Sequence, residues 1–263
     1  NEYDVYVDAR NTSNEDLQNR GMSEDQIDLI KSDAIENELL EKAALSVDEL
    51  SKLGYDNNQI AILKNYDGQA IEDAPELRGV FAGMTAKFFK SSASTSSLKV
   101  RVFWEWSNAP ALAGDPITDL IAMRWQGTNT GGRPLNVAFN SSKSSANVNY
   151  YTRDGEYKFN RSVDIVCDSP YDHAYAEIPV SSGEYEDGWT IYAKSGNMYV
   201  QVDRTGTDSI KEAAFVFGYG HTVIAISPSL SLPASFGIGF SWGTEKMVEE
   251  AIRMDNKGII TEY

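Results

Sequence analysis

The spacing of apolar side chains changes part-way along this chain, from a helical rhythm to alternation. Between residues 13 and 64 the sequence is punctuated like a series of short helices. Ser23-Glu24-Asp25-Gln26 and Ser46-Val47-Asp48-Glu49 both have capping-box spacing, in which the first side chain accepts a backbone N–H and the fourth reaches back. Gly21 and Gly54 stand where a helix would end in a left-handed residue. Between them, Ala34 to Leu45 is rich in helix formers and carries Ile35, Leu39 and Leu40 as an apolar stripe. Laying residues 13–31 over 46–64 aligns Ser13 with Ser46, Leu17 with Leu50, Gly21 with Gly54, Gln26-Ile27 with Gln59-Ile60 and Lys31 with Lys64. The match reads as a duplicated helix–turn–helix unit; independent convergence on the same caps is the competing reading. Two copies are too few for a solenoid core, so the helices are expected to pack on one another or dock on the remainder.

From about Val80 the period becomes two. Leu98, Val100, Val102, Trp104 and Trp106 fall on one face, opposite Lys99, Arg101 and Glu105. Alternation returns in Leu135-Val137-Phe139, Tyr157 to Ile165, Trp189-Ile191-Ala193 and Met198-Val200-Val202. Ser195-Gly196-Asn197 between the last two reads as a hairpin turn. Further strands are expected over Ala213–Tyr219, His221–Ser227 and Phe236–Trp242. Within Phe236–Trp242, large residues alternate with Gly or Ser, leaving a bare face for close packing or, alternatively, a ligand groove. Glu245 to Met254 reads as a closing helix, with Met247, Val248, Ala251 and Ile252 on one side. The expected fold is mostly β with an N-terminal helical segment. Residues 1–70 form that segment, and residues 71–263 an antiparallel β-sandwich or barrel-like body with a short C-terminal helix.

Composition narrows the function classes. With 263 residues, 41% of them hydrophobic and 24% charged, the chain has enough apolar material for a real core. No apolar run approaches the roughly 20 residues of a membrane helix. A net charge of −16 without a basic cluster disfavours nucleic acid and anionic membrane surfaces. Cys167 is the single cysteine, which rules out an intramolecular disulfide, and His173 and His221 are too few for a multi-His zinc site. The chain opens at Asn1 without a signal peptide, as a processed or trimmed end does. A body rich in Ser, Asn, Thr, Gly and Tyr is similar in composition to mature exported proteins of Gram-positive bacteria. The expected place of action is therefore outside the cell or at its surface.

The sequence offers the ingredients of four kinds of chemistry. Asp172-His173 near Cys167 has the ingredients of a nucleophile and an oriented base, but the histidine follows Pro170 in a loop and the cysteine continues an apolar strand. Asp115 and Asp119 in one loop offer hard oxygen ligands that suit calcium, without an EF-hand pattern. Trp104, Trp106, Trp125, Trp189 and Trp242, with many tyrosines, offer flat surfaces for sugar rings. Trp104, Trp106, Tyr150 and Tyr151 are the candidate ligand contacts, although regular strand positions also make the tryptophans core. Because Tyr150 and Tyr151 are adjacent, at least one of them should point outward. The serine runs at 91–97 and 140–145 invite comparison with pore-lining hairpins, yet uninterrupted serines look like loops. No motif is specific enough to name a family. The reading reached is a non-catalytic protein that binds a glycan or protein partner. A carboxylate-dependent hydrolase is the alternative, and a pore-forming β-protein ranks below it.

Overall fold

A computed structural model describes residues 2–110, 117–186, 188–223, 229–233, 235–241 and 244–262. Its first part is helical: α1 (Glu2–Asn11), α2 (Asn14–Asn19), α3 (Glu24–Lys31), α4 (Ala34–Ala44), α5 (Val47–Lys52) and α6 (Asn57–Asn65), followed by 3-10 turns at Ile71–Asp73 and Pro75–Gly79. The punctuation in the sequence works as spaced. Ser23 and Ser46 make reciprocal capping boxes with Gln26 and Glu49, and Asp56 makes a third with Gln59. Gly21 and Gly54 take φ of 98° and 92°, the left-handed region that glycine enters without a Cβ penalty. Both α2–α3 and α5–α6 are thus short helix, left-handed glycine, short helix.

α1 lies ahead of this pattern. It is held by packing and by Arg10, whose guanidinium donates to Glu36 at 2.6 Å, to Ser32 O at 2.6 Å and to Ile30 O at 3.1 Å. Tyr3, Tyr6, Leu17, Ile27, Ile35, Leu39, Leu50, Ile60 and Leu63 build a helical core that continues through Val80 and Phe81 to Val223 of the β body.

The β elements are β1 (Met84–Ala93), β2 (Ser97–Trp106), β3 (Thr118–Asn129), β4 (Pro134–Leu135), β5 (Val137–Phe139), β6 (Ser145–Tyr151), β7 (Tyr157–Val163) and β8 (Val166–Ser169). There follow β9 (His173–Pro179), β10 (Ser181–Glu186), β11 (Trp189–Arg204), β12 (Ile210–Thr222), β13 (Leu230–Ser231), β14 (Gly239–Phe240), β15 (Thr244–Asp255) and β16 (Ile260–Glu262). They form two antiparallel sheets. The first runs β1-β2-β11-β6-β7, with β10 and β5 pairing to β11; the second runs β16-β15-β12-β3-β9-β8, with β4 beside β3. Their inner faces enclose one core that includes Val100, Val102, Trp104, Trp106, Ile121, Trp125, Val200, Phe215, Phe217 and Ile252. The architecture is a sandwich and not a closed barrel. Across the outer face of the second sheet lies the β13–β14 pair, with Ile238 and Phe240 pressed against Gly218 and Gly220. It is the bulky face of this segment that packs here, onto glycines of β12, and the strand proper is only Gly239–Phe240.

Two expectations need correction, and a β-bulge explains each. Ser195-Gly196-Asn197 is not a turn: β11 continues through it, paired on both sides with β2 and β6. The ladder to β6 shifts between Ala193 and Ser195, so the inward set passes from odd to even positions without the chain reversing. Gly196 is glycine because a Cβ there would stand 2.5 Å from the Trp104 ring and 2.4 Å from Asn147 O. Likewise, Glu245–Met254 is not a helix but part of β15, hydrogen-bonded along β12. Its register shifts where Tyr219 faces Val248 and Gly220 faces Lys246, leaving Met247 extra. That insertion, together with burial of Ala251 on the outer face, reproduces helical spacing within a strand. β12 also runs unbroken from Ile210 to Thr222, joining what reads as two strands, and the remainder of His221–Ser227 beyond Val223 lies outside the described residues.

The helical segment meets the sandwich at two tight points. Gly54 approaches the end of β2 so closely that a Cβ would lie 2.1 Å from Ser107 O. The second is a fully buried polar chain. Glu2 of α1 contacts His221 Nε2 at 3.0 Å, and His221 Nδ1 contacts Asp119 at 2.9 Å. Asp119 also accepts from the Tyr219 hydroxyl at 2.7 Å and from Thr222 N at 2.9 Å. Burial alone would discharge the imidazole. The adjacent carboxylates of Asp119 and Glu2 outweigh it and hold the His221 pKa up at about 10.

Gly54→Ala is expected to destabilise the fold by at least about 2 kcal/mol, because strain at positive φ adds to a backbone clash. Gly21→Ala should cost less, as a comparison of urea midpoints would show. For His221, raising the folded pKa from 6.5 to about 10 makes its contribution complete below 6.5 and lost as pH climbs through about 10. Wild-type stability should therefore decline across that window relative to His221→Gln, whose own profile lacks this component. Asp119→Asn should cost about 3–5 kcal/mol by stranding a buried charge.

Candidate functional site

A cleft of about 340 Å³ opens where the helical segment meets the end of the first sheet. Its helical wall comes from Leu45, Glu49, Lys52 and Leu53, on and around α5. Its sheet wall comes from Thr152, Arg153 and Asp154 in the β6–β7 loop, and from Glu186 and Trp189 at the β10–β11 turn. The β6–β7 loop is shaped by Thr152. Its N–H donates to Glu156 O at 2.9 Å, its hydroxyl accepts from Glu156 N at 3.0 Å, and that hydroxyl also donates to Asp154. Gly155 turns the chain at φ 84°, where a Cβ would lie 3.5 Å from Lys52 O of α5. At the other turn Gly188 takes φ 81° and Glu186 faces Trp189 across the β10–β11 pair.

Charges around this cleft are unevenly committed. Glu186 is paired with Lys158 at 2.7 Å, and Glu49 accepts from Ser46 N at 2.7 Å in its capping box. The Thr152 hydroxyl holds the Asp154 carboxyl below its ordinary pKa, and the Ser46 hydroxyl and N–H do the same for Glu49. Asp154 and Glu49 are therefore acceptor groups rather than acids poised to donate a proton. The two cations are different. Lys52 and Arg153 make no hydrogen bond or ion pair among the described residues. Arg153 lies 3.3 Å above the centroid of the Trp189 ring, with both terminal nitrogens shielded from solvent and without an acceptor. Burial lowers its pKa, while Tyr55, Glu38, Glu41 and Glu49 act in the opposite direction. A guanidinium stays charged under such pressure.

The same end of the first sheet carries most of the outward-facing aromatics. Trp189 is 37% exposed, Tyr157 51% and Tyr185 65%. Tyr151 is half-buried, packs edge-on to Tyr157 at 5.6 Å and lies beneath Lys194. Of the adjacent tyrosines, Tyr151 is thus the outward one. Tyr150 is fully buried, and its hydroxyl donates to Pro179 O at 2.8 Å.

Trp104 and Trp106 lie in the interior and away from the cleft. Both are buried between the sheets, with Tyr219 edge-on to their rings at 4.9 and 5.6 Å. Their even spacing on β2 put them on the inner face of the sandwich. Asp119 is likewise buried: its oxygens take Tyr219, His221 and Thr222 N. Asp115 lies outside the described residues. The Cys167 and His173 side chains do not pair. The thiol faces His173 O at 3.4 Å and burial raises its pKa, while the imidazole turns to Asp172, which also binds Arg124 at 2.9 Å. The serine runs occur at the β1–β2 turn and around a 3-10 turn at Ser141–Lys143.

The residues missed by pattern reasoning are Lys52 and Arg153. Thr152-Arg153-Asp154-Gly155 has turn composition, which signals exposure, but nothing local indicates that α5 covers it.

No family model matches the chain, and no curated protein matches it. Among solved structures, similarity extends to a collagen-binding domain from a Staphylococcus aureus adhesin, at 14% identity over 54% of this chain and 85% of that one, with a TM-score of 0.25. A cohesin module from a Clostridium perfringens family 33 glycoside hydrolase aligns at 12% identity over 66% and 96%, with a TM-score of 0.26. A structure described as BspA_C_mut aligns at 6% identity over 69% and 47%, with a TM-score of 0.33. Likeness at these scores carries no argument about activity.

Proposed function

We propose that this chain is a non-catalytic binding module and that its ligand is a glycan held in the cleft between α5 and the β6–β7 and β10–β11 turns. The observation that carries the reading is the composition of that cleft: an exposed tryptophan beside Glu49, Asp154, Glu186 and Thr152. Trp189 supplies a flat apolar wall. The carboxylates and the threonine hydroxyl supply acceptors for the many O–H donors of a sugar, and a volume of about 340 Å³ lies at the small end of ligand sites. A protein partner would be expected to need a larger apolar patch than one tryptophan and separate tyrosines. The Ser-, Asn- and Tyr-rich body with a single cysteine supports action outside the cell or at its surface, in a Gram-positive bacterium.

A glycan array followed by titration calorimetry tests this. At least one glycan should bind, and Trp189→Ala should weaken it by about tenfold, equivalent to roughly 1.4 kcal/mol. Tyr171→Ala, exposed on the second sheet, should leave affinity unchanged. Retention of no glycan, or indifference to Trp189→Ala, would overturn the reading. Because three carboxylates line the cleft, the bound glycan should also be recovered and sized. Shortened products would move the assignment to a carboxylate-dependent hydrolase.

A further inference from the structure

Resting on that glycan reading, we infer that the cleft selects a sugar bearing a carboxylate, such as a uronic or sialic acid residue, which Arg153 and Lys52 engage. The argument concerns uncommitted valence. Each carboxylate in the cleft already has a donor: Lys158 for Glu186, Ser46 N for Glu49 and the Thr152 hydroxyl for Asp154. The two cations have no hydrogen-bonded or ionic partner among the described residues. Arg153 is the more telling, because its terminal nitrogens are shielded from water as well as unpaired. An unpaired buried guanidinium is costly, and a planar carboxylate meets its donor fork with two parallel hydrogen bonds.

The position of Trp189 fits such an occupant. Its ring covers the guanidinium at 3.3 Å, yet it is 37% exposed at the edge of the cleft. For a carboxylate to reach the terminal nitrogens, the ring must shift toward the open cleft. There it meets the sugar face, so one movement opens the charge and forms the stacking contact. Lys52, exposed on the last turn of α5, is a second positive point on the opposite wall. Beside three carboxylates that already have donors, Arg153 and Lys52 are the two cationic side chains lining the cleft, and neither has a hydrogen-bonded or ionic partner among the described residues.

The test compares ligands that differ only in charge: oligogalacturonate with its methyl ester, and sialyllactose with sialyllactose methyl ester. At least one acid should bind about tenfold or more tightly than its ester, the scale of a charge-assisted bidentate pair. Arg153→Gln should remove that difference, while Lys52→Gln should narrow it. Binding of the acid should change Trp189 fluorescence, a signal that Trp189→Phe loses. Arg153 stacks on Trp189 but has no hydrogen-bonded or ionic partner in the free protein, so Arg153→Gln should melt within a few degrees of wild type, which separates lost recognition from lost folding. Equal affinity for acid and ester, or an acid preference that survives Arg153→Gln, would overturn the inference while leaving the glycan reading intact. If neither acids, esters nor neutral glycans bind, both fall. If an acidic peptide binds through Arg153 and no sugar does, the ligand class is wrong.

Discussion

A positively charged imidazole, sealed between two carboxylates, holds this molecule together. His221 sits on β12 with Asp119 of β3 on one ring nitrogen and Glu2 of α1 on the other, and none of the three is open to solvent. Removing three charges from water is expensive, and their mutual attraction offsets that cost only while all three remain in place. The arrangement therefore acts as a condition on docking. α1 packs on the sandwich with Glu2 at the imidazole, or His221 loses half of its compensation. Trp106 and Tyr219 extend the constraint inward: the indole lies edge-on to both the His221 and Tyr219 rings, and the Tyr219 hydroxyl shares Asp119. Position in the helical segment is thus transmitted to the centre of the sheet core.

The cleft depends on this docking, because its walls belong to different parts of the chain. α5 supplies Glu49 and Lys52, and the two sheet turns supply Arg153 and Trp189. Were the helical segment to come away, Arg153 would be a solvated turn residue and no cleft would exist. Gly54 sets the distance between the walls. Its missing side chain lets the α5–α6 connection reach Ser107 at the end of β2, and this places the last turn of α5 over the β6–β7 loop. The corresponding Gly21 has the same left-handed backbone in the preceding helix pair. One helix pair has therefore become a wall of the cleft, whereas the other packs within the helical core.

How much was legible in the sequence follows from the range of the interaction. Capping boxes at Ser23 and Ser46 and left-handed glycines at 21 and 54 are local, and they read correctly from spacing alone. The alternation of β2 also reads correctly, down to the inward tryptophans. Bulges were illegible, because one inserted residue moves the apolar set to the other parity just as a turn or a change of period would. Ser195-Gly196-Asn197 looked like a hairpin turn because of the shift between Ala193 and Ser195, and Met247 made β15 look helical, for this one reason. The candidate site fared worse. Tryptophans on a regular strand advertise themselves and are core, while Arg153 and Lys52 matter only because residues far apart in sequence are brought together.

This contrast bears on what kind of site the cleft is. The structure commits nearly every other charge near the junction: Arg10 grips Glu36, Lys42 is salt-bridged to Glu38 at 2.6 Å, and His221 bridges Glu2 and Asp119. Those groups are buried and paired, as expected when their role is to fix one arrangement. Arg153 is shielded but unpaired, under a tryptophan that an ordinary core would have enclosed. A fold that satisfies its internal ions so consistently has left one guanidinium without an acceptor at the mouth of a cleft. The Trp189 ring and the nearby carboxylates favour its charge, but they leave its terminal N–H groups without an acceptor, which a carboxylate arriving from outside the chain would supply.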